Sequence, residues 1–242
     1  MSSSVIYVIR HGSTALNKEG GSGDSPVDKI RGHLNIPLSE KGRYEATETG
    51  KKLKNKGISS LYSSDLSRAS ETAQIIWNYL TNKDEYPDLP IKYDYGLRPW
   101  KLGSEIEGKE TTSVLPKIKY YAENPNEIPP DGESFNSFKN RFFSTFDSIA
   151  SQNKKKTVGI VTHYRGFKLL GSRKKGTNDV DLNKFLSFDD KQKPASVSII
   201  IDEKLPMAVL FSSQTPTVNR SKNWFGISLI SILLSILGNI WV

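Results

Sequence analysis

Two short runs rich in β-branched residues each lead into a histidine. Val5-Ile6-Tyr7-Val8-Ile9 runs into Arg10-His11-Gly12-Ser13-Thr14, and Val158-Gly159-Ile160-Val161-Thr162 runs into His163-Tyr164-Arg165-Gly166. Apolar runs of this length and composition read as buried strands. In open α/β sheets the ligand crevice lies just beyond the carboxyl ends of the strands. Two of the chain's three histidines are therefore expected at one site.

The segments between these strands alternate in the manner of an α/β fold. Asn17 to Asp28 is rich in Gly, Ser and Asp and reads as a surface loop beside the site. Pro37-Leu38-Ser39-Glu40 opens a helix with Ser39 as N-cap. Gly42, Ala46, Gly50 and Leu53 then form a stripe of small residues that lets the helix approach a sheet closely, and Gly57 is read as its end. Ile58 to Ser63 is a strand, and Ala69, Ala73, Ile76 and Leu80 mark the next helix, which places Arg68 at a strand-to-helix junction. Thr81 to Pro130 carries only short patterns, among them a strand-like Ile91 to Tyr93, and reads as an insertion that covers or shapes the site. A helix from Ser134 shows Phe135, Phe138, Phe142, Phe146 and Ile149 on one face. Ser196 to Ile201 and Met207 to Phe211 read as a closing pair of strands.

A chain of 242 residues suits one α/β domain and an appendage. The division expected is a catalytic domain over 1–211, a linker over 212–223 and a hydrophobic helix over 224–242. Trp224 to Val242 has no charged residue and would make about 28 Å of helix, close to the thickness of a bilayer core. Arg220 and Lys222 flank its N-terminal side, so a membrane anchor there would leave the catalytic domain in the cytoplasm. The competing reading is a buried helix, since Ser228, Ser231, Ser235 and Asn239 form one polar stripe. A net charge of +8 favours anionic partners. Lys154-Lys155-Lys156 and Arg173-Lys174-Lys175 lack interleaved aromatics and read as solvated faces, so no nucleic-acid partner is expected. Cysteine is absent, which excludes disulfides, thiolate nucleophiles and thiolate metal sites.

Arg10-His11-Gly12-Ser13-Thr14 with Asn17 resembles the RHGxTxxN signature of the histidine phosphatase superfamily, the phosphoglycerate-mutase-like proteins. Gly32 to Gly42, reading GHLNIPLSEKG, is similar to the family's GxLDxPL[ST]xxG segment. Ser63 to Ala73 is similar to its SxLxRAxxTA segment, Gly132-Glu133-Ser134 to its GES motif, and Val161-Thr162-His163 to its second-histidine motif. All five stand in family order over roughly the first 170 residues. The resemblance implies a three-layer α/β/α sandwich with a mostly parallel central sheet. It implies that His11 attacks phosphorus and is phosphorylated, and that Arg10, Arg68 and His163 form the phosphate pocket. Asn17 falls on a phosphate-bonding position, and Ser13 lies within the same signature; Arg31, next to the helix-opening segment, is a candidate further anion contact, with an ordinary surface arginine as the competing reading. Water would release the phosphate without a metal or cofactor. The expected partner is a phosphorylated small molecule or phosphoprotein.

The chain departs from the pattern at one position. The family commonly carries a glutamate in an LRE segment as proton donor, and here the segment reads Leu97-Arg98-Pro99. Glu133 is the expected replacement, with Glu105 and Glu107 as rivals and an N-terminal helix cap as the competing role of Glu133. Phosphomonoester hydrolysis is thus the leading reading. A mutase-type phosphotransferase is the sibling alternative. A catalytically impaired, membrane-tethered module that binds a phospho-ligand or protein is the alternative from another class.

Overall fold

The structure is a computed structural model describing residues 4–18, 27–80, 91–187, 194–201 and 208–211. Most of the expected access loop, and all of the expected linker and apolar tail, lie outside these residues. Among the described residues no helix is long and apolar enough to cross a membrane.

Six strands form one sheet: β1 (Val5–Arg10), β2 (Ile58–Ser63), β3 (Lys92–Tyr93), β4 (Thr157–Thr162), β5 (Val197–Ile201) and β6 (Ala208–Phe211). Their order is β3-β2-β4-β1-β5-β6. The first four in that order run parallel, and β5 and β6 close the edge antiparallel. The helices are α1 (Glu40–Leu53), α2 (Ser67–Trp77), α3 (Thr111–Glu123), α4 (Phe135–Gln152), α5 (Tyr164–Ser172) and α6 (Leu182–Leu186).

Alternation along β1 divides the core. Tyr7 and Ile9 point into a cluster with Leu53 of α1 and Ala69, Ala73 and Ile76 of α2. Ile6 and Val8 point the other way, into a cluster with Ile118 of α3, the Phe138 and Phe142 face of α4, and Phe167 of α5. Helices on both faces of a mostly parallel sheet make the three-layer sandwich.

Local details explain the element limits. Ser39 caps α1, its Oγ accepting from Gly42 N at 3.1 Å, and the small-residue stripe is buried. The helix ends at Leu53, before the expected Gly57, and the turn that follows holds both Asn55 and Gly57 at positive φ. Ser134 caps α4 by accepting from Ser137 N at 3.1 Å. Helix α3 is the main correction to the sequence reading of the 81–130 insertion. Val114, Ile118 and Ala122 recur at four-residue spacing and are buried, but Pro116 and the lysines between them hide the pattern.

Candidate active site

Three parallel neighbours, β2, β4 and β1, end side by side, and the polar residues beyond them converge. Arg10 is the register partner of Thr162, so His11 and His163 follow from adjacent strand ends. His11 N donates to Thr162 O at 3.0 Å, and Ser64 N donates to Val161 O at 3.0 Å, which carries the ladder one residue past the strands. The two imidazoles lie 5.1 Å apart, centroid to centroid, tilted by 60°. They line a cavity of about 380 Å³ with Arg10, Asn17, Asp28, Arg31 and Arg68.

His11 is oriented by its own loop. Its Nδ1 lies 2.6 Å from Gly12 O. A carbonyl only accepts, so the hydrogen sits on Nδ1 and the lone pair on Nε2. Burial, then the guanidiniums of Arg68, Arg10 and Arg31, hold the imidazole well below its usual pKa. The ring is therefore neutral near pH 7. His163 is depressed in the same way, by burial and then Arg68. Its Nε2 meets Ser64 Oγ at 2.8 Å, leaving the buried Nδ1 without a partner.

The arginines are buried close together. Burial, then Arg31, lowers the pKa of Arg10 to about 10 and that of Arg68 to about 9, so both remain cationic at neutral pH. Arg68 is anchored through Nη1 to Leu34 O and Nη2 to Gly32 O, each at 2.7 Å, which leaves its buried Nε unpartnered. Arg31 Nη1 is buried without a partner as well. Crowded, desolvated guanidiniums are costly, and an anion among them relieves that cost.

Two glycines set the backbone of the His11 loop. A Cβ on Gly12 would stand 2.4 Å from Gly42 O, and one on Gly42 would stand 2.0 Å from Ser13 O. The start of α1 can press against the loop only because both are glycine. Gly12 N donates to Thr72 Oγ1, and Ser13 donates to the buried Glu45 carboxylate through N at 2.8 Å and Oγ at 3.0 Å.

This arrangement coincides with a match between residues 6–204 and the model of the histidine phosphatase superfamily, branch 1. The chain belongs to that superfamily. It is 34% identical over 165 residues to phosphoglycerate mutase-like protein 4 of Arabidopsis thaliana, covering 65% of each chain. It is 31% identical over 163 residues to the metal-independent phosphoserine phosphatase of the same plant, covering 65% of this chain and 63% of that one. Each match spans just under two thirds of the plant protein's length. The solved structure of Bacillus stearothermophilus YhfR superposes with a TM-score of 0.64 at 27% identity, covering 88% of this chain and 98% of that one.

Against the superfamily pattern, the structure brings His11, Arg10, Arg68, His163, Asn17 and Arg31 to one cavity. Ser13 and Glu133 are absent from its described lining. Ser13 is fully buried and turned to Glu45. Glu133 accepts from Arg141 Nη2 at 2.6 Å, Arg141 Nε at 3.3 Å and Lys101 N at 2.9 Å. Arg141 also donates to the carbonyls of Gly96 and Pro99. The expected acid is thus a brace for the loop bearing Pro99 and Trp100, and the cap of α4 is Ser134 instead. Glu107 accepts from Leu102 N at 2.9 Å, and Glu105 pairs with Lys117 at 2.6 Å on the exposed surface. Neither lines the cavity.

Among the described residues, the carboxylate lining the cavity is Asp28, which the sequence reading passed over as a loop boundary. Its Oδ1 accepts from Lys18 N at 2.8 Å and Asn17 Nδ2 at 3.5 Å, leaving Oδ2 without a hydrogen-bond partner among the described residues. Glu45 and Arg165 were also missed. Glu45 gave a faint signal, a carboxylate on the small-residue face of α1.

Proposed function

We propose that the chain is a phosphomonoester hydrolase acting through a phosphohistidine at His11. The observation that carries this reading is the neutral, oriented His11 imidazole, its Nε2 lone pair free beside three buried guanidiniums. Nε2 attacks phosphorus and the ester P–O bond breaks. The guanidiniums of Arg10, Arg31 and Arg68 offset the charge on the phosphoryl oxygens, and His163 Nδ1 is placed to bond one of them. The leaving oxygen takes a proton from Asp28. Water then attacks phosphorus, gives a proton back to Asp28, and the P–N bond breaks to return His11 and inorganic phosphate.

The superfamily relatives include proteins named as phosphatases, among them the plant phosphoserine phosphatase. A cavity of about 380 Å³ is at the small end of ligand sites and favours a phosphorylated small molecule over a phosphoprotein. The test is hydrolysis of a panel of phosphomonoesters by the full-length chain. Turnover should appear for part of the panel and survive excess EDTA, because guanidiniums supply the positive charge. His11→Ala should remove at least 10³-fold of it, as losing a nucleophile does in other enzymes. Retention of activity in His11→Ala would overturn the reading.

We further propose that Trp224 to Val242 anchors the chain in a membrane with the catalytic domain on the cytoplasmic side. Support comes from the uncharged sequence and its basic flank at Arg220 and Lys222. The full-length protein should stay with membranes through high-salt and alkaline-carbonate washes. Its release by either wash would contradict an integral span.

A further inference from the structure

One turn beside the cavity holds Arg68, and a residue outside the cavity holds that turn. Arg31 to Leu34 form a turn closed by Leu34 N donating to Arg31 O at 2.8 Å, with Gly32 at a φ of +45° on its corner. Arg68 donates to the two carbonyls that flank His33, from Nη2 to Gly32 O and from Nη1 to Leu34 O, each at 2.7 Å. Asn35, the next residue, accepts from Ser67 N at 2.8 Å, so the segment also grips the first turn of α2, which carries Arg68. The position of these carbonyls therefore sets where the Arg68 guanidinium lies on the cavity wall.

His33 is not among the residues that line the cavity. Its Nε2 lies 2.9 Å from Pro99 O, and because a carbonyl only accepts, Nε2 carries the hydrogen. Among the described residues this is the one hydrogen bond between the turn and the loop at 95–101. That loop is itself braced, since Arg141 donates to the carbonyls of Gly96 and Pro99, and Thr162 Oγ1 donates to Leu97 O at 2.8 Å. The His33 ring stands nearly perpendicular to that of Tyr95, with centroids 5.9 Å apart, which steadies the donor. A half-buried imidazole thus joins a fixed loop to the turn that grips Arg68.

We infer that His33 is a positioning residue for Arg68, passing the rigidity of the 95–101 loop to the guanidinium through the carbonyls of Gly32 and Leu34. With Nη1 and Nη2 each committed to a carbonyl, the planar fork leaves the direction of the unpartnered Nε–H to the turn. Misplacing a group that meets the reacting phosphoryl by about 1 Å costs on the order of 10²-fold in rate. The inference rests on the phosphatase reading for the anion that Arg68 meets, and its test separates the two.

The test compares full-length wild type with His33→Leu, which keeps the bulk but has no donor, and with His33→Gln, whose Nε2 amide reaches about as far as the imidazole Nε2. Hydrolysis of 4-nitrophenyl phosphate and calorimetric binding of orthovanadate are both measured. His33→Leu should lose at least tenfold in kcat/KM and in vanadate affinity, and His33→Gln should recover both to within threefold of wild type. In an Arg68→Lys background, which keeps the charge but not the two-carbonyl fork, His33→Leu should cost less than threefold more. His33→Asn, whose shorter amide falls short of Pro99 O, takes the place of a His33→Leu protein that does not fold. A lowered unfolding midpoint with unchanged kcat/KM and affinity per folded molecule would overturn the inference. Equal losses in both backgrounds, or folded His33→Gln as impaired as His33→Leu, would overturn it too. Vanadate binding without hydrolysis would fail the phosphatase reading and leave the vanadate comparison to decide the role of His33. Hydrolysis untouched by His33→Leu would do the reverse, and a wild-type chain that neither binds vanadate nor hydrolyses the ester would overturn both.

Discussion

Asp28 and Glu133 show how the same functional group takes different roles from its surroundings. Glu133 has both oxygens engaged by Arg141 and the Lys101 amide, and so fastens the loop that forms one cavity wall. Asp28 spends Oδ1 on Lys18 and Asn17, keeps Oδ2 without a hydrogen-bond partner among the described residues, and lines the cavity. Asp28→Asn should therefore slow alkyl phosphates by about 10² to 10⁴-fold and aryl phosphates far less, since an aryl leaving group needs little protonation. Glu133→Gln should depress both classes alike while lowering stability. Equal losses on both classes for Asp28→Asn, measured as kcat, would remove Asp28 from proton transfer.

The strand ends were legible in the sequence because β-branched runs ending in histidine leave few alternatives at β1 and β4. The contact between α1 and the His11 loop was half legible. The small stripe announced a close approach, but only the structure shows that Gly42 faces Ser13 O and that Glu45 holds Ser13. Helix α3 stayed hidden behind Pro116, and Arg165 gave no signal because its place on the cavity wall depends on which way the first turn of α5 faces. Gly42→Ala tests the element-level account. Alanine favours a helix by about 0.5–1 kcal/mol over glycine, but a Cβ 2.0 Å from a backbone oxygen forces the loop to move, at a cost of about 1–3 kcal/mol. The clash wins, so denaturant titration should show a net loss and kcat/KM should fall at least tenfold as His11 shifts. Gly50→Ala meets α2 and its following turn instead, at Tyr79 Cδ2 (2.8 Å) and the Ile76 Cα (3.2 Å), so it should cost stability but leave kcat/KM within twofold. Unchanged activity in Gly42→Ala would refute the coupling.

At the scale of the whole molecule, the sheet gathers three strand ends and so buries two neutral histidines beneath a group of cations, which ties stability to pH. Both have native pKa values well below the ordinary 6.5, and His33, half-buried and bonded to Pro99 O, is lowered to about 4. The unfolded chain then binds more protons than the native one below about pH 6.5. The histidine contribution is fully present above that pH and is lost as pH falls toward the native values, by up to about 1.4 kcal/mol per pH unit for each buried ring. Unfolding free energy measured by denaturant should drop between pH 6.5 and 5, and a flat profile would mean the rings are charged or solvated in the native state. The same burial leaves His11 Nε2 as the neutral nucleophile beside Arg10, Arg31 and Arg68, the claim on which the rest depends. It is tested most directly by alkaline quenching of the full-length protein during turnover, followed by intact mass and site mapping. The account predicts one added phosphoryl group, acid-labile and located on His11, and none on His11→Ala. A phosphoryl group on any other residue, or label retained by His11→Ala, would contradict it.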